Sequence, residues 1–489
     1  MSFEMPQFSL ALPEIVLLSA LCVVLIIDLF VSDEKRVITF WLSLASLAAT
    51  FAATLASEPV VRTLTFSASY VSDPLASVLK MAATLCLALV FIYSRDYLMR
   101  NALRKGEFYL LSLFGLLGIF VMVSANSLLT MYLGLEMLSL SLYALVAFDR
   151  NSRICAEAAM KYFVLGAIAS GAFLYGISLI YGVAGTIQFD QLSDAIVQKG
   201  ADDLGLWFGL AFLIVGLVFK FGGVPFHMWL PDVYQGSRTP VTIYLGSLSK
   251  IASFALAVRV LVDGLPALYE QWHQMLMVVA ILSLALGNIV AIAQTNIKRM
   301  LAYSTLSHVG FILLGFFAGN AEGYQAALFY TLTYVFTAAG AFGMIALLSK
   351  RGHEAESLSD FRGLNARSPW YAAIMSCFML SMAGIPPWVG FWAKLHVIEA
   401  VLYAGRVAGG SSQLFLFVAL AMVLFSVIGA FYYLRVLKFM YFDEPEDEAD
   451  APIDAGFDAR AVLSANGLAV LAVGIAPGSL LALCALVIG

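Results

Sequence analysis

The sequence predicts an all-α, polytopic membrane protein of about fourteen transmembrane helices, and three observations lead there. Hydrophobic residues make up 62% of the chain and charged residues only 12%, against roughly 45–50% and 25% in soluble proteins. Apolar runs of about 20 residues, enough to cross ~30 Å of hydrocarbon, recur along the whole length. These runs lack period-two alternation, and open strand edges cannot face lipid, so spanning strands are excluded. The polar residues are too few to clothe a water-soluble core. No basic patch exists, so nucleic acid is excluded as a partner.

In order, the runs fall near 10–30, 37–57, 74–97, 107–123, 126–148, 154–181, 205–231, 240–262, 273–294, 300–318, 324–349, 369–404, 412–441 and 461–487. The first is long enough to span, and no small-residue cleavage site follows it, so it reads as a helix rather than a cleaved signal. Sixteen Lys/Arg, from Lys35 to Arg460, fall in loops after odd-numbered runs; only Arg62, Lys199 and Arg406 fall in loops after even-numbered ones. The positive-inside rule then puts the odd-numbered loops in the cytoplasm and both termini outside. Between runs six and seven, Phe189, Leu192 and Ile196 recur at helical spacing, which predicts a short helix lying in the interface. The acidic stretch from Asp443 to Glu448 reads as a solvated loop. The five cysteines are scattered with no C-x-x-C pair, which argues against thiolate-bound zinc or iron–sulfur sites and for buried structural thiols. No metal site is expected.

Eight Lys/Arg remain inside the runs. Arg435, Lys438, Arg259 and Lys80 lie near run ends, where long side chains can snorkel to the headgroups. Glu136, Lys161, Lys220, Lys250 and Lys394 are deeper. Lys220 and Lys250 each lie about ten residues from a run end, about 15 Å at 1.5 Å per residue and close to the midplane. Five such charges at about 2.5–3.5 kcal/mol each cost on the order of 15 kcal/mol. Structural ion pairing fails as an explanation, because four lysines share one deep carboxylate. Lysines desolvated near one another can release and recapture a proton, so the row is predicted to be a proton relay. His308 is eight residues into run ten, and His227 follows Lys220 by seven residues, on the same face if the helix is continuous. Both are possible relay members, as is Lys298 at a run boundary.

Two runs carry helix breakers. Run seven contains Lys220-Phe221-Gly222-Gly223-Val224-Pro225-Phe226-His227, and run twelve contains Ala383-Gly384-Ile385-Pro386-Pro387-Trp388. Pro225 cannot donate to the Phe221 carbonyl, and Pro386 and Pro387 free those of Met382 and Ala383. Such gaps are tolerated in a membrane where water or side chains satisfy the backbone. Paired interrupted helices in opposite halves, each with a lysine nearby, mark an inverted repeat around an ion path. The helix-break residues are Gly223, Pro225, Gly384, Pro386 and Pro387.

At this point the chain resembles the antiporter-like subunits of proton-pumping NADH:quinone oxidoreductase, respiratory complex I. The likeness rests on Val224-Pro225-Phe226-His227-Met228-Trp229-Leu230-Pro231-Asp232-Val233-Tyr234-Gln235-Gly236 with Thr239-Pro240-Val241, on Lys250-Ile251-Ala252, on Lys298 to Ser304 with His308-Val309-Gly310, and on Ala383 to Pro387 with Lys394. It covers nearly the whole chain. Ser237-Arg238 departs from the Ala-Pro more usual in the family before Thr239-Pro240. The resemblance implies two inverted five-helix repeats, runs four to eight and nine to thirteen. The chain would then divide into 1–106, 107–262, 263–441 and 442–489. It implies that Glu136 and Lys161 form an input pair, that Lys220 is the switching lysine, that Lys250 is the central relay and that Lys394 serves the second half. It implies a non-redox subunit of a translocase in a bacterial inner membrane, beside other membrane subunits. FMN, iron–sulfur clusters, NADH and quinone would be bound by other subunits. The absence of both Gly-x-Gly-x-x-Gly and clustered cysteines agrees. The alternatives are a subunit of a related cation/proton antiporter, or a structural subunit without transport.

Overall fold

The structure is a computed structural model that describes residues 5–32, 35–59, 61–103, 105–407, 412–444 and 456–488. A 3-10 turn (Phe8–Ala11) leads into α1 (Leu12–Phe30) and α2 (Val37–Ala56), then a hairpin of β1 (Thr63–Thr65) and β2 (Tyr70–Ser72). Next come α3 (Pro74–Arg100), α4 (Glu107–Val123), α5 (Leu128–Val146), α6 (Arg153–Ala184), α7 (Phe189–Lys199), α8 (Leu204–Phe221), α9 (Trp229–Gly236) and α10 (Thr239–Gly246). The helix α11 (Leu248–Ala257) continues as a π-helical segment, Val258–Gly264. The remainder is α12 (Tyr269–Ile292), α13 (Ile297–Phe317), α14 (Ala321–Leu348), α15 (Leu364–Arg367), α16 (Pro369–Ala383), α17 (Val389–Val407), α18 (Ser412–Tyr441), α19 (Phe457–Ile475) and α20 (Gly478–Ile488).

Among the described residues, twelve helical segments are long and apolar enough to cross a membrane, with α4, α16 and α20 as shorter apolar helices. Starts are set by side-chain caps where the sequence supplies them. Ser152 accepts from the Cys155 amide, Asn296 from Arg299 and Asn320 from Gly323, each satisfying an amide that has no partner within its helix. The short helix expected between runs six and seven is present as α7, burying Phe189, Leu192 and Ile196. The interruptions expected in runs seven and twelve separate α8 from α9 and α16 from α17.

Two runs expected to be continuous are broken as well. Run fourteen divides at Ala476, whose φ of −130° and ψ of 70° leave the helix, because the ring of Pro477 disfavours helical backbone just before it. Run eight divides at Ser247, at φ −116° and ψ −79°. Its hydroxyl donates back to the Ile243 carbonyl at 2.5 Å, a local bond that competes with the helical ladder. The hairpin was not legible either. Its strands are three residues each, pairing Thr63 with Ser72 and Thr65 with Tyr70, too short to show alternation.

The chain forms two compact units. Unit 1 comprises 1–91, 104–221 and 248–272; unit 2 comprises 92–103, 222–247 and 273–489. In unit 1, α4 packs on α5, α5 on α6, α6 on α8, and α11 on both α4 and α8. In unit 2, α13 and α14 pack together and against α17, while α16 packs on α18 and α19. The apolar windows of α13 and α14 are 94% and 89% buried, against 33% for α18. The first two therefore form the centre of unit 2. The exposed Phe417, Leu420, Leu424 and Phe431 of α18 suit a lipid-facing rim.

Two cations expected to snorkel do not. Lys80 is 3% exposed; its Nζ lies 2.6 Å from Glu14 Oε1 and donates to the Tyr70 hydroxyl at 3.0 Å. Arg259 is 2% exposed and pairs with Asp73 and Asp263, each at 2.8 Å. The carboxylates that capture them come from the first helix and from segments flanking runs three and eight, where a depth argument along one helix cannot see them. Arg435 instead donates to the Ile292 and Gln294 carbonyls at 2.7 and 2.6 Å, closing the end of α12. Lys438 is exposed and pairs with Asp443 at 3.2 Å; Pro445 to Glu448 of the acidic stretch lie outside the described residues. Glu14→Gln leaves the Lys80 ammonium buried without its anion. A stability loss of about 3–5 kcal/mol is expected, read as a lower unfolding midpoint of the detergent-solubilised protein, and an unchanged midpoint contradicts the pairing.

Candidate functional site

In unit 1 the site begins on α5. Glu136 accepts a hydrogen bond from Ser170 of α6. One turn further along α5, on the same face, the Ser139 hydroxyl accepts from Lys220 Nζ at 3.0 Å. Lys220 stands at the end of α8, 4% exposed. There the helix stops, because Gly222 takes a left-handed φ of +79° that an L side chain adopts only at a cost. The carbonyls thus freed are taken by α11. Lys250 Nζ donates to the Phe221 oxygen at 2.8 Å, and the Ser253 hydroxyl donates to that of Lys220 at 3.1 Å. Lys250 is fully buried. The carbonyl that Pro225 was expected to orphan is the one that holds the Lys250 ammonium.

Unit 2 repeats the device. At the end of α16, Gly384 has a φ of +82°, and Lys394 Nζ donates to the Ala383 carbonyl and the Ser426 hydroxyl, both at 2.9 Å. Its ammonium also sits 5.5 Å from the Phe311 ring centre, a cation–π distance. The peptide bonds Val224–Pro225 and Pro386–Pro387, one in each break, are both cis. Near Lys394, His308 is buried with Nδ1 2.7 Å from the Tyr330 hydroxyl and Nε2 2.9 Å from that of Tyr433. Tyr433 continues to Ser304 at 2.5 Å. A small cavity of about 10 Å³, room for about one water, is lined by His308, Tyr330, Thr333, Tyr334, Thr337, Ser381, Met382, Gly390 and Ala393. Its hydroxyls and imidazole give water several partners.

Three expected members stand apart from these rows. Lys161 pairs with Glu157 at 2.9 Å, one turn earlier on α6, and both are exposed. Nine residues, about 13 Å of helical rise, separate it from Ser170, the α6 residue that holds Glu136, so the two members of the expected input pair lie at different levels. The antiparallel register of α5 and α6 sets this: Tyr143, seven residues beyond Glu136, already meets Gly166. His227 lies half-buried in the segment between α8 and α9, and with the helix interrupted its seven-residue spacing from Lys220 gives no common face. Lys298 is fully buried and ion-paired with Glu354 at 2.8 Å, while donating to the Ser237 carbonyl at 2.9 Å. Tyr97 donates to the same carboxylate, with Arg238 Nη1 at 3.6 Å and Glu356 3.6 Å from Lys298. Burial alone would raise the Glu354 pKa, but Lys298 beside it holds the carboxyl below the usual carboxylate range.

The cations thus fall into two classes. Lys80, Arg259 and Lys298 have carboxylate partners. Lys220, Lys250 and Lys394 are held by hydroxyl and carbonyl oxygens. Only the second class can lose a proton without stranding a buried anion. Sequence reasoning missed Ser139, Ser426, Tyr330, Tyr433 and Glu354. Ser139 was detectable as the i+3 neighbour of Glu136; Glu354 lies in a loop, outside any search of the spans.

The transmembrane family described as NADH:quinone oxidoreductase/Mrp antiporter matches residues 125–433. The chain belongs to this family. It is 54% identical over 484 residues to the NADH-quinone oxidoreductase subunit N of Thioalkalivibrio sulfidiphilus, covering 99% of this chain and 98% of that one. Subunit N of Thiobacillus denitrificans is 52% identical over 490 residues, covering 100% and 99%. Among solved structures, a chain of respiratory complex I from Thermus thermophilus with bound aureothin superposes with a TM-score of 0.80 and 32% identity, covering 96% of this chain and 98% of that chain.

Two measurements check this geometry. At pH 7, Glu354→Gln is expected to cost about 3 kcal/mol by taking from buried Lys298 its nearer carboxylate. Because the folded carboxyl has the lower pKa, the wild-type advantage persists above about pH 4 and fades as pH falls through the folded value; unfolding midpoints across pH follow it. A Cβ at Gly384 would lie 2.8 Å from Lys394 Cδ and adopt a strained φ. Gly384→Ala is therefore expected to lower stability by about 1–3 kcal/mol and to displace the ammonium from the Ala383 carbonyl, visible in a density map.

Proposed function

We propose that this chain is the proton-translocating subunit N of a bacterial NADH:quinone oxidoreductase. The observation that carries the reading is the recurrence, in each unit, of a lysine ammonium on the carbonyl freed by an interrupted helix. Full-length relatives named subunit N favour it over a separate cation/proton antiporter. In this reading the flavin, iron–sulfur clusters, NADH and quinone belong to other subunits. The chain lies in the inner membrane among neighbouring membrane subunits, with its cation-rich loops in the cytoplasm, both termini outside, and runs four to eight and nine to thirteen as the two repeats.

The mechanism is electrostatic. Quinone reduction elsewhere alters the charge state near Glu136, which Ser170 holds; Lys161, paired with Glu157 at another level, is not its direct partner. The Ser139 hydroxyl joins that carboxylate's face of α5 to Lys220. A change at Glu136 therefore shifts the cost of keeping Lys220 charged. A proton leaving Lys220 passes to Lys250, which waits on the next carbonyl of the same broken end. Charging one raises the cost of charging the other, so release on one side is linked to uptake on the other. Lys394 performs the corresponding step in unit 2, with His308 beside it, and His227 is a further candidate; Lys298, paired with Glu354, stays charged.

Lys220→Ala in the assembled complex is expected to reduce NADH-driven proton pumping by about tenfold or more and to lower quinone reductase activity, with assembly retained. The measurement is ΔpH in proteoliposomes beside NADH oxidation; unchanged pumping overturns the proposal.

A further inference from the structure

The hairpin end of unit 1 contrasts with the lysine row. From Lys250 toward that end, α11 continues as Ile251-Ala252-Ser253-Phe254-Ala255-Leu256-Ala257-Val258. Its one polar side chain, Ser253, is spent on the Lys220 and Ser249 carbonyls. The helices packed against it are equally bare. Leu113 to Val123 of α4 and Leu206 to Phe219 of α8 hold no titratable or hydroxyl side chain. Beyond this apolar stretch stands Arg259, nine residues and about 13 Å past Lys250, where α11 has become π-helical, a distortion frequent at functional positions.

The guanidinium is saturated. Nε donates to the Val123 carbonyl at 2.9 Å, Nη2 to Asp73 at 2.8 Å, and Nη1 reaches Asp73 and Asp263 at 2.8 Å. Arg62 adds a second cation 3.8 Å from Asp263. Asp73 is fixed in turn by the Ala76 amide at 2.8 Å. An arginine cannot be deprotonated in a protein, and a fixed positive charge at a narrow point excludes protons and cations.

We propose that Arg259 is a fixed-charge seal that closes the hairpin end of unit 1 to protons, so that protons on Lys220 and Lys250 do not leave by that end. This rests on the proton-translocating reading above and names a positioning residue for it. Without the guanidinium, Asp73 loses its cation and Asp263 keeps only Arg62 at 3.8 Å, and the two carboxylates draw in water and protons and offer a step between the surface and Lys250.

The test uses the assembled complex in proteoliposomes, with an internal pH dye and an imposed potential, first without NADH. Arg259→Gln is expected to raise passive proton conductance about tenfold or more, the change given by a barrier lowered by only about 1.4 kcal/mol. NADH:quinone activity is retained while the steady ΔpH falls. Arg259→Lys keeps the charge and stays tight, as does Asp73→Asn, which removes an ion-pair partner but leaves the cation. Adding Lys250→Ala to Arg259→Gln abolishes the leak, since a leak from disordered packing would persist. A tight Arg259→Gln complex, or an Asp73→Asn complex that leaks equally, overturns the seal. If Arg259→Gln does not assemble, a wild-type density map resolving waters decides: a continuous file past Arg259 to Lys250 overturns the proposal, and a dry gap supports it. Failure of the seal leaves the Lys220→Ala result untouched, so the two readings are tested separately.

Discussion

A backbone carbonyl without a partner is costly in lipid, and the structure depends on how that cost is met. Interrupting a helix at mid-membrane leaves oxygens that water would satisfy in a soluble protein. Here buried ammonium groups satisfy them: Lys250 on Phe221 and Lys394 on Ala383. Two features that would each be unfavourable alone, a broken ladder and a desolvated lysine, become mutually supporting. The bond is to a neutral dipole, so the lysine is held in place but not held charged. A carboxylate in the same position would keep the proton where it is.

That distinction orders the remaining charges. Ion-paired groups knit segments together: Glu14 of α1 to Lys80 of α3, Asp73 and Asp263 to Arg259, Glu354 to Lys298. Each is a static link whose removal exposes a buried charge. Lys220, Lys250 and Lys394 lean instead on serine hydroxyls and carbonyls, which can accept or turn without changing charge. Glu136 lies between the classes, a carboxylate held by a hydroxyl and one turn from the serine that reaches Lys220.

Much of this was legible in the sequence, because the membrane makes its demands one helix at a time. Apolar length gave the spans, and prolines 225, 386 and 387 named the freed carbonyls, including those of Phe221 and Ala383 that the lysines occupy. What the sequence hid is contact between distant segments. Lys80 and Arg259 read as snorkelling cations, because Glu14 and Asp73 lie in other elements. The break at Ser247 has no proline to announce it. Glu136 and Lys161 looked like neighbours on antiparallel helices, but the register that sets Tyr143 against Gly166 puts Lys161 at another level.

The phenol groups flanking His308 have a consequence for timing. Both ring nitrogens are occupied at once, by Tyr330 and Tyr433, and Tyr433 continues to Ser304. A neutral imidazole donates through one nitrogen and accepts through the other, so the row has a polarity at every instant. Under the proposed function, one proton passing along this row inverts that polarity. A second would then wait until each rotor has swung back and the ring has exchanged tautomers, so that the stretch would work as an escapement that ticks once per reset rather than as an open wire.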